Sequence, residues 1–172
     1  MTSYELIEDR KLAMRCAHLV WAVNKYYVLA CSQQYYLKLR QHLKPDQPNL
    51  TLAFETLQEV EQLYRKTSSD VLPQLPNALH HIAGYFKNIL TKEERQAVDR
   101  LIQDNPQAAI RQLEMYTFQY ELPYLMKSRL WGRNRHFLFN LVVEKLTFQG
   151  EEIAPHRLLW HNDTVLKGNE NE

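Results

Sequence analysis

Two short stretches of the chain combine residue types that could do chemistry. In residues 77–87, NALHHIAGYFK, the residues Asn77, His81 and Tyr85 recur at intervals of four. On a helix that spacing stacks them on one face. An imidazole would then stand between an amide and a phenol, an arrangement in which His81 could act as general acid or base. His80, Gly84 and Lys87 form a neighbouring stripe. A glycine inside a helix costs about 1 kcal/mol relative to alanine. Gly84 therefore predicts close backbone approach, by another helix or by a ligand. The second stretch, residues 127–136, reads KSRLWGRNRH and is the densest basic run. Arg129, Trp131, Arg133 and Arg135 together suit phosphate contact plus base stacking. Solvated surface is the plainer alternative. A third feature is Asn24-Lys25, which interrupts an apolar helical run. Lys25 can snorkel to water, or line a cleft and hold an anion.

Several chemistries have no support. The four glycines, Gly84, Gly132, Gly150 and Gly168, are scattered, so no Walker loop or dinucleotide fingerprint can form. There is no GxSxG turn. His80 and His81 are adjacent and diverge on a helix, and His156 and His161 lie in a stretch carrying a proline; neither pair chelates as an i,i+4 pair would. The acidic pairs Glu93-Glu94 and Glu151-Glu152 read as solvated. No metal and no cofactor is expected.

The elements that must position these residues are helical. Residues 3–43 contain neither Gly nor Pro. Ser3 could cap a first helix, with Leu12, Cys16, Leu19, Val23, Tyr26 and Ala30 on one apolar face. Ser32 could end it and cap a second; one unbroken helix is the competing reading. After the loop around Pro45 and Pro48, Asn49 caps a helix with Leu50, Phe54, Leu57, Val60, Glu61 and Tyr64 in phase. Thr67, Ser68, Ser69 and Asp70 form a break, and Pro76 opens the next helix. Thr91 and Glu94 match a capping box. Asn105-Pro106 starts a helix with Ile110, Leu113, Tyr116, Thr117 and Tyr120 facing inward, and Pro123 kinks or ends it. Leu141-Val142-Val143 and Leu146-Thr147-Phe148 favour strand, and Gln149-Gly150-Glu151-Glu152 can turn, which is compatible with a small hairpin.

At 172 residues and net charge +1 the chain suits one domain, and any pull on nucleic acid must come from a local patch. Cys16 and Cys31 read as two buried free thiols. The first fifteen residues lack the basic-then-apolar order of a secretory signal. The most apolar run, residues 19–31, is too short to span a bilayer. The cytoplasm is the expected compartment. The expected fold is all-α: a single-domain bundle of about six to seven helices with a short C-terminal β-hairpin as an option. The expected division is a helical domain over residues 1–137, an extension over 138–166 packed on it, and a disordered tail over 167–172.

The segment 77–87 resembles the signature of the YbgA-like family, a small bacterial domain without assigned activity. That pattern, roughly N-x-L-x-H-x-x-G-Y-F-K, is filled by Asn77, Leu79, His81, Gly84, Tyr85, Phe86 and Lys87. Residues 90–95, LTKEER, resemble the family's next segment. An upstream pattern is partly met by Lys25, Tyr26, Ala30, Ser32, Tyr36 and Leu39. The resemblance runs from about Val20 to Arg129. Where relatives usually carry histidine or arginine, this chain has Trp21, Val23, Asn24 and Cys31, so a polar cluster is lost or changed. The resemblance implies a genetic setting beside, or fused to, a domain that removes sulfur from thiolated uracil compounds; other relatives lie beside DNA photolyase genes. The fused form is associated with thiouridine in transfer RNA.

Three functional readings follow. The first is a non-catalytic module binding RNA, tRNA included, or a nucleic-acid-modifying partner enzyme. Lys25, Asn77, His81, Tyr85 and Lys87 would line its cleft, and Arg129, Trp131, Arg133 and Arg135 would touch phosphate or base. The second is a small enzyme with His81 as acid or base, oriented by Asn77 or Tyr85. The third is a protein-interaction domain anchored by Trp21 or Trp131.

Overall fold

Asp9, and not Ser3, starts the first helix. The computed structural model describes residues 3–65 and 72–169. In it Tyr4–Ile7 is a strand, β1, and helix α1 spans Arg10–Cys31. The Asp9 carboxylate accepts a hydrogen bond from the Leu12 amide at 2.8 Å, satisfying a first-turn donor. Helix α2, Gln33–His42, follows at once, with Ser32 Oγ accepting from the Tyr35 amide at 3.4 Å. The two-helix reading of residues 10–42 is therefore correct.

The remaining helices are α3 (Leu50–Arg65), α4 (Leu75–Ala83), α5 (Lys92–Asp104), α6 (Pro106–Gln119) and α7 (Pro123–Met126). Asn49 caps α3 and Asn105 caps α6, each through its side-chain oxygen. Thr91 and Glu94 form the reciprocal capping box at 3.1 Å in both directions. Pro123 does more than end a helix: it opens the one-turn α7. Tyr120, expected inside, is exposed. The break expected at Thr67–Asp70 lies outside the described residues.

The chain is mostly helical and not purely so, because among the described residues five short strands form two sheets. Strands β2 (Leu146–Phe148) and β3 (Glu151–Ile153) make the C-terminal hairpin. Gln149 and Gly150 both have positive φ (52° and 79°), as a tight two-residue hairpin turn requires. Glu151 and Glu152 belong to β3 rather than to the turn. Strands β4 (Leu158–His161) and β5 (Thr164–Gly168) join β1 in an antiparallel sheet of order β1-β5-β4. Tyr4 pairs with Gly168 and Ile7 with Val165. This sheet overturns two expectations. The N-terminal residues find more backbone bonds at the edge of β5 than a frayed helical turn would offer. Lys167 and Gly168, expected in a disordered tail, close β5; residues 170–172 lie outside the described part.

Two compact units interleave along the chain: Met1–Val23, Leu37–Lys66 and Phe137–Glu172 make the first, and Asn24–Tyr36 with Thr67–His136 the second. The boundary expected at residue 137 is thus one of several crossings. In the first unit the inward residues of β4 and β5, Leu158, Trp160 and Val165, are all buried, following the two-residue period of a strand. Trp160 meets Phe54 of α3 edge-on, ring centroids 5.3 Å apart. Cys16 is buried there as a free thiol, and burial pushes its pKa up to about 12 against the opposing charge of Arg15. In the second unit α4, α5 and α6 pack on one another around Leu79, Ile82, Phe86, Ile102 and Leu113. Among the described residues no helix is long and apolar enough to cross a membrane.

Candidate binding face around residues 80–99

Helix α4 ends at Ala83 and tightens into a 3-10 turn over Gly84–Phe86. Phe86 goes to the core, which turns Gly84, Tyr85 and Lys87 outward. Gly84 has ordinary helical angles (φ −59°), so no unusual backbone conformation demands a glycine. A methyl group placed there would meet nothing within 4 Å. The close helix crossing expected at Gly84 is therefore absent. The position instead opens onto a hollow.

That hollow has a volume of about 280 Å³ and is walled by His80, Ala83, Gly84, Lys87, Leu90, Arg95, Val98 and Asp99. The capping box fixes where α5 begins, and so fixes its phase. Arg95, Val98 and Asp99 then fall on one face, turned toward the hollow. Among the described residues neither Lys87 nor Arg95 has a carboxylate partner, and the Arg95 Nε is screened from solvent without an acceptor. Asp99 lies 3.9 Å from His80 Nδ1, a long and exposed pair. A second, wider hollow of about 650 Å³ shares His80 and Asp99 as its wall and adds Pro76, Arg100, Ile102 and Gln103.

Beside this turn stands a cluster of aromatic rings. The Tyr85 hydroxyl lies 2.7 Å from that of Tyr26 on α1. The two rings meet edge-on, and Tyr85 also stacks on Tyr124 of α7 with centroids 5.9 Å apart and an interplanar angle of 22°. Tyr85 and Tyr124 are 42% and 40% exposed, so this stacked pair presents ring surface to solvent. Tyr26 lies beneath, only 3% exposed. Its pKa is raised by burial first, then by the hydrogen bond to Tyr85 and by the neighbouring tyrosines.

The sequence candidates divide. His81 is exposed and leans on Tyr36, centroids 6.5 Å apart, but does not wall the hollow; its neighbour His80 does. The orientation expected from Tyr85 is not present, because that hydroxyl faces Tyr26. Asn77 is partly buried on α4. Lys25 holds its ammonium 5.6 Å from the Tyr26 ring centroid. Lys87 alone of the five borders the hollow. Arg95 and Asp99 were missed, although Arg95 closes the LTKEER segment. The signal was the cap: a helix starting after Thr91 puts residue 95 one turn in, on the side of Val98.

The basic run is in part internal structure: Leu130, Trp131 and Arg129 are buried, while Arg133 and His136 are exposed. Trp131 is fully buried and its indole N–H donates to the Leu125 carbonyl at 2.7 Å, so it offers no ring for a base. Arg129 is buried and donates to Asn24 Oδ1 at 3.1 Å. It also lies over the Tyr27 ring, as does Arg135, each guanidinium 5.0 Å from the centroid. Arg133 sits 3.6 Å over Phe118 and bonds Glu114 at 2.9 Å. Buried charge and indole need partners inside the fold; the indole and the Arg129 Nη1 have them, while Arg135 Nε, like Arg95 Nε, is screened from solvent without an acceptor. Asn24 in the apolar helix is explained by the same bond. Trp21 is also buried, so neither tryptophan anchors a partner.

A family model described as a protein of unknown function, DUF1722, matches residues 25–132. No curated protein and no solved structure matches the chain. The matched stretch contains every residue of both hollows and of the tyrosine cluster.

Proposed function

The chain belongs to the DUF1722 family, consistent with its YbgA-like signature, and from that premise we propose that it is a non-catalytic helical module that binds RNA through the face around Gly84. The observation that carries this reading is the pair Lys87 and Arg95: two cations on one hollow whose wall holds a single carboxylate, Asp99, with neither cation in an ion pair among the described residues. A chain of net charge +1 attracts a polyanion only where its cations are concentrated and unspent. The exposed Tyr85–Tyr124 pair adds ring surface on which bases can stack. The resemblance to domains associated with thiouridine in transfer RNA agrees with that chemistry. A bacterial, cytoplasmic setting beside a sulfur-removing or other nucleic-acid-modifying enzyme belongs to the same proposal.

The test is tRNA binding measured by fluorescence anisotropy over a range of salt. Each phosphate contact releases counterions, so log K should fall with log salt by roughly 0.7–0.9 per contact. Lys87→Ala and Arg95→Gln should each reduce that slope by about one contact. Weak binding that ignores salt would sink the proposal.

A further inference from the structure

The two hollows share a wall, and that carries the reading one step further. The inner hollow under Gly84 holds Lys87 and Arg95; the outer one, past His80 and Asp99, holds Arg100. We infer that together they form a track for one unpaired nucleic-acid strand, with a phosphodiester held by Lys87 and Arg95 and the strand running on toward Arg100. This deepens the RNA reading and rests on it.

Three observations favour a single strand. Charge is the first. Lys87 and Arg95 bring two positive charges to the inner hollow and Asp99 one negative, a surplus of one from the lysine, arginine and aspartate of its wall. That balances one singly charged phosphodiester better than a doubly charged free phosphate. Size is the second. About 280 Å³ admits a phosphate with part of its sugar, and sits at the small end of sites that hold whole ligands. The third is the tyrosine pair. Tyr85 directly follows Gly84, and a ring exposed at that place can stack on an unpaired base, whereas bases inside a duplex are already covered on both faces. Gly84 then has a use that the bare fold does not supply: its missing side chain lets a phosphate approach the turn.

The experiment compares an eight-nucleotide single-stranded RNA with the same sequence annealed to its complement. It uses the full chain and the variants Gly84→Ala, Arg95→Gln, Arg100→Gln and Arg133→Gln, each checked by thermal melting. The single strand should bind at least about tenfold more tightly than the duplex. Gly84→Ala and Arg95→Gln should each weaken it about tenfold, the scale of one charge-assisted contact. Arg133→Gln, whose parent side chain is held by Glu114, should change it less than twofold. Equal affinity for single strand and duplex, or unchanged binding by Gly84→Ala and Arg95→Gln, overturns the track and leaves RNA binding elsewhere on the chain. Absence of any RNA binding overturns both the track and the reading beneath it.

Discussion

Residues 80–99 and residues 127–136 both mix cations with aromatic rings, yet they use them in opposite ways. In the second region the fold itself engages the guanidiniums: Arg129 on Asn24 and Tyr27, the half-exposed Arg133 on Glu114 and Phe118, Arg135 on Tyr27 and the Leu130 carbonyl. In the first, Lys87 and Arg95 face a hollow with no carboxylate partner among the described residues. The denser basic run is thus the less available one. Density of positive charge along a chain says how much charge must be accommodated. Whether a partner is left to bind depends on what the fold has already paired.

The sharpest way to break this contrast is at Trp131. If the run is internal structure, Trp131→Ala should cost about 3–5 kcal/mol of stability, the scale for removing a buried aromatic residue. Urea denaturation measures it. A loss below 1 kcal/mol would mean that the indole is not packed as described. Arg129→Ala should come next. It takes from the buried Asn24 the donor that Arg129 supplies, a loss of about 1–3 kcal/mol. Salt should barely shield it, since the pair is buried. Loss of tRNA affinity at a temperature where this variant is still folded would return Arg129 to the binding surface.

Tyr26 tests the floor of the first region. Its pKa in the fold is raised above the ordinary 10.0, chiefly by burial. Above pH 10 the unfolded chain gives up a proton that the folded chain keeps. Stability is therefore fully present below pH 10 and falls as pH rises beyond it, by up to about 1.4 kcal/mol per pH unit for one such group. Cys16 acts in the same direction from its ordinary 9.0. In Tyr26→Phe the decline above pH 10 should be shallower, while the onset near pH 9 stays. An unchanged slope would show that the Tyr26 hydroxyl is not held in its protonated form by the fold.

How much of this was legible beforehand follows the range of the forces. Caps at Asn49, Thr91 and Asn105 act within four residues, and all three were readable. A turn within Gln149–Glu152 was readable for the same reason, although Glu151 and Glu152 belong to β3. Strand β1 was not, because its partner β5 lies some 160 residues away and nothing in Tyr4–Ile7 announces it. The exposed stripe of His80, Gly84 and Lys87 came from helical period alone, but its facing wall, Arg95 and Asp99, needed the packing of α4 on α5. Trp131 and Arg129 misled because composition cannot distinguish an indole bonded to Leu125 from one open to a base.

The smallest expected effect is the most discriminating. Gly84 has helical angles and open space around its α-carbon. An alanine there relieves the backbone entropy of a helical glycine without meeting a neighbour. Gly84→Ala should therefore leave stability unchanged or raise it by about 0.4–1 kcal/mol. Were the glycine required by the fold, the same change would lower the melting temperature, and the turn would belong with residues 127–136 as internal structure. A stable variant that binds RNA less well separates the two regions: a glycine the fold can spare is then one that the ligand needs.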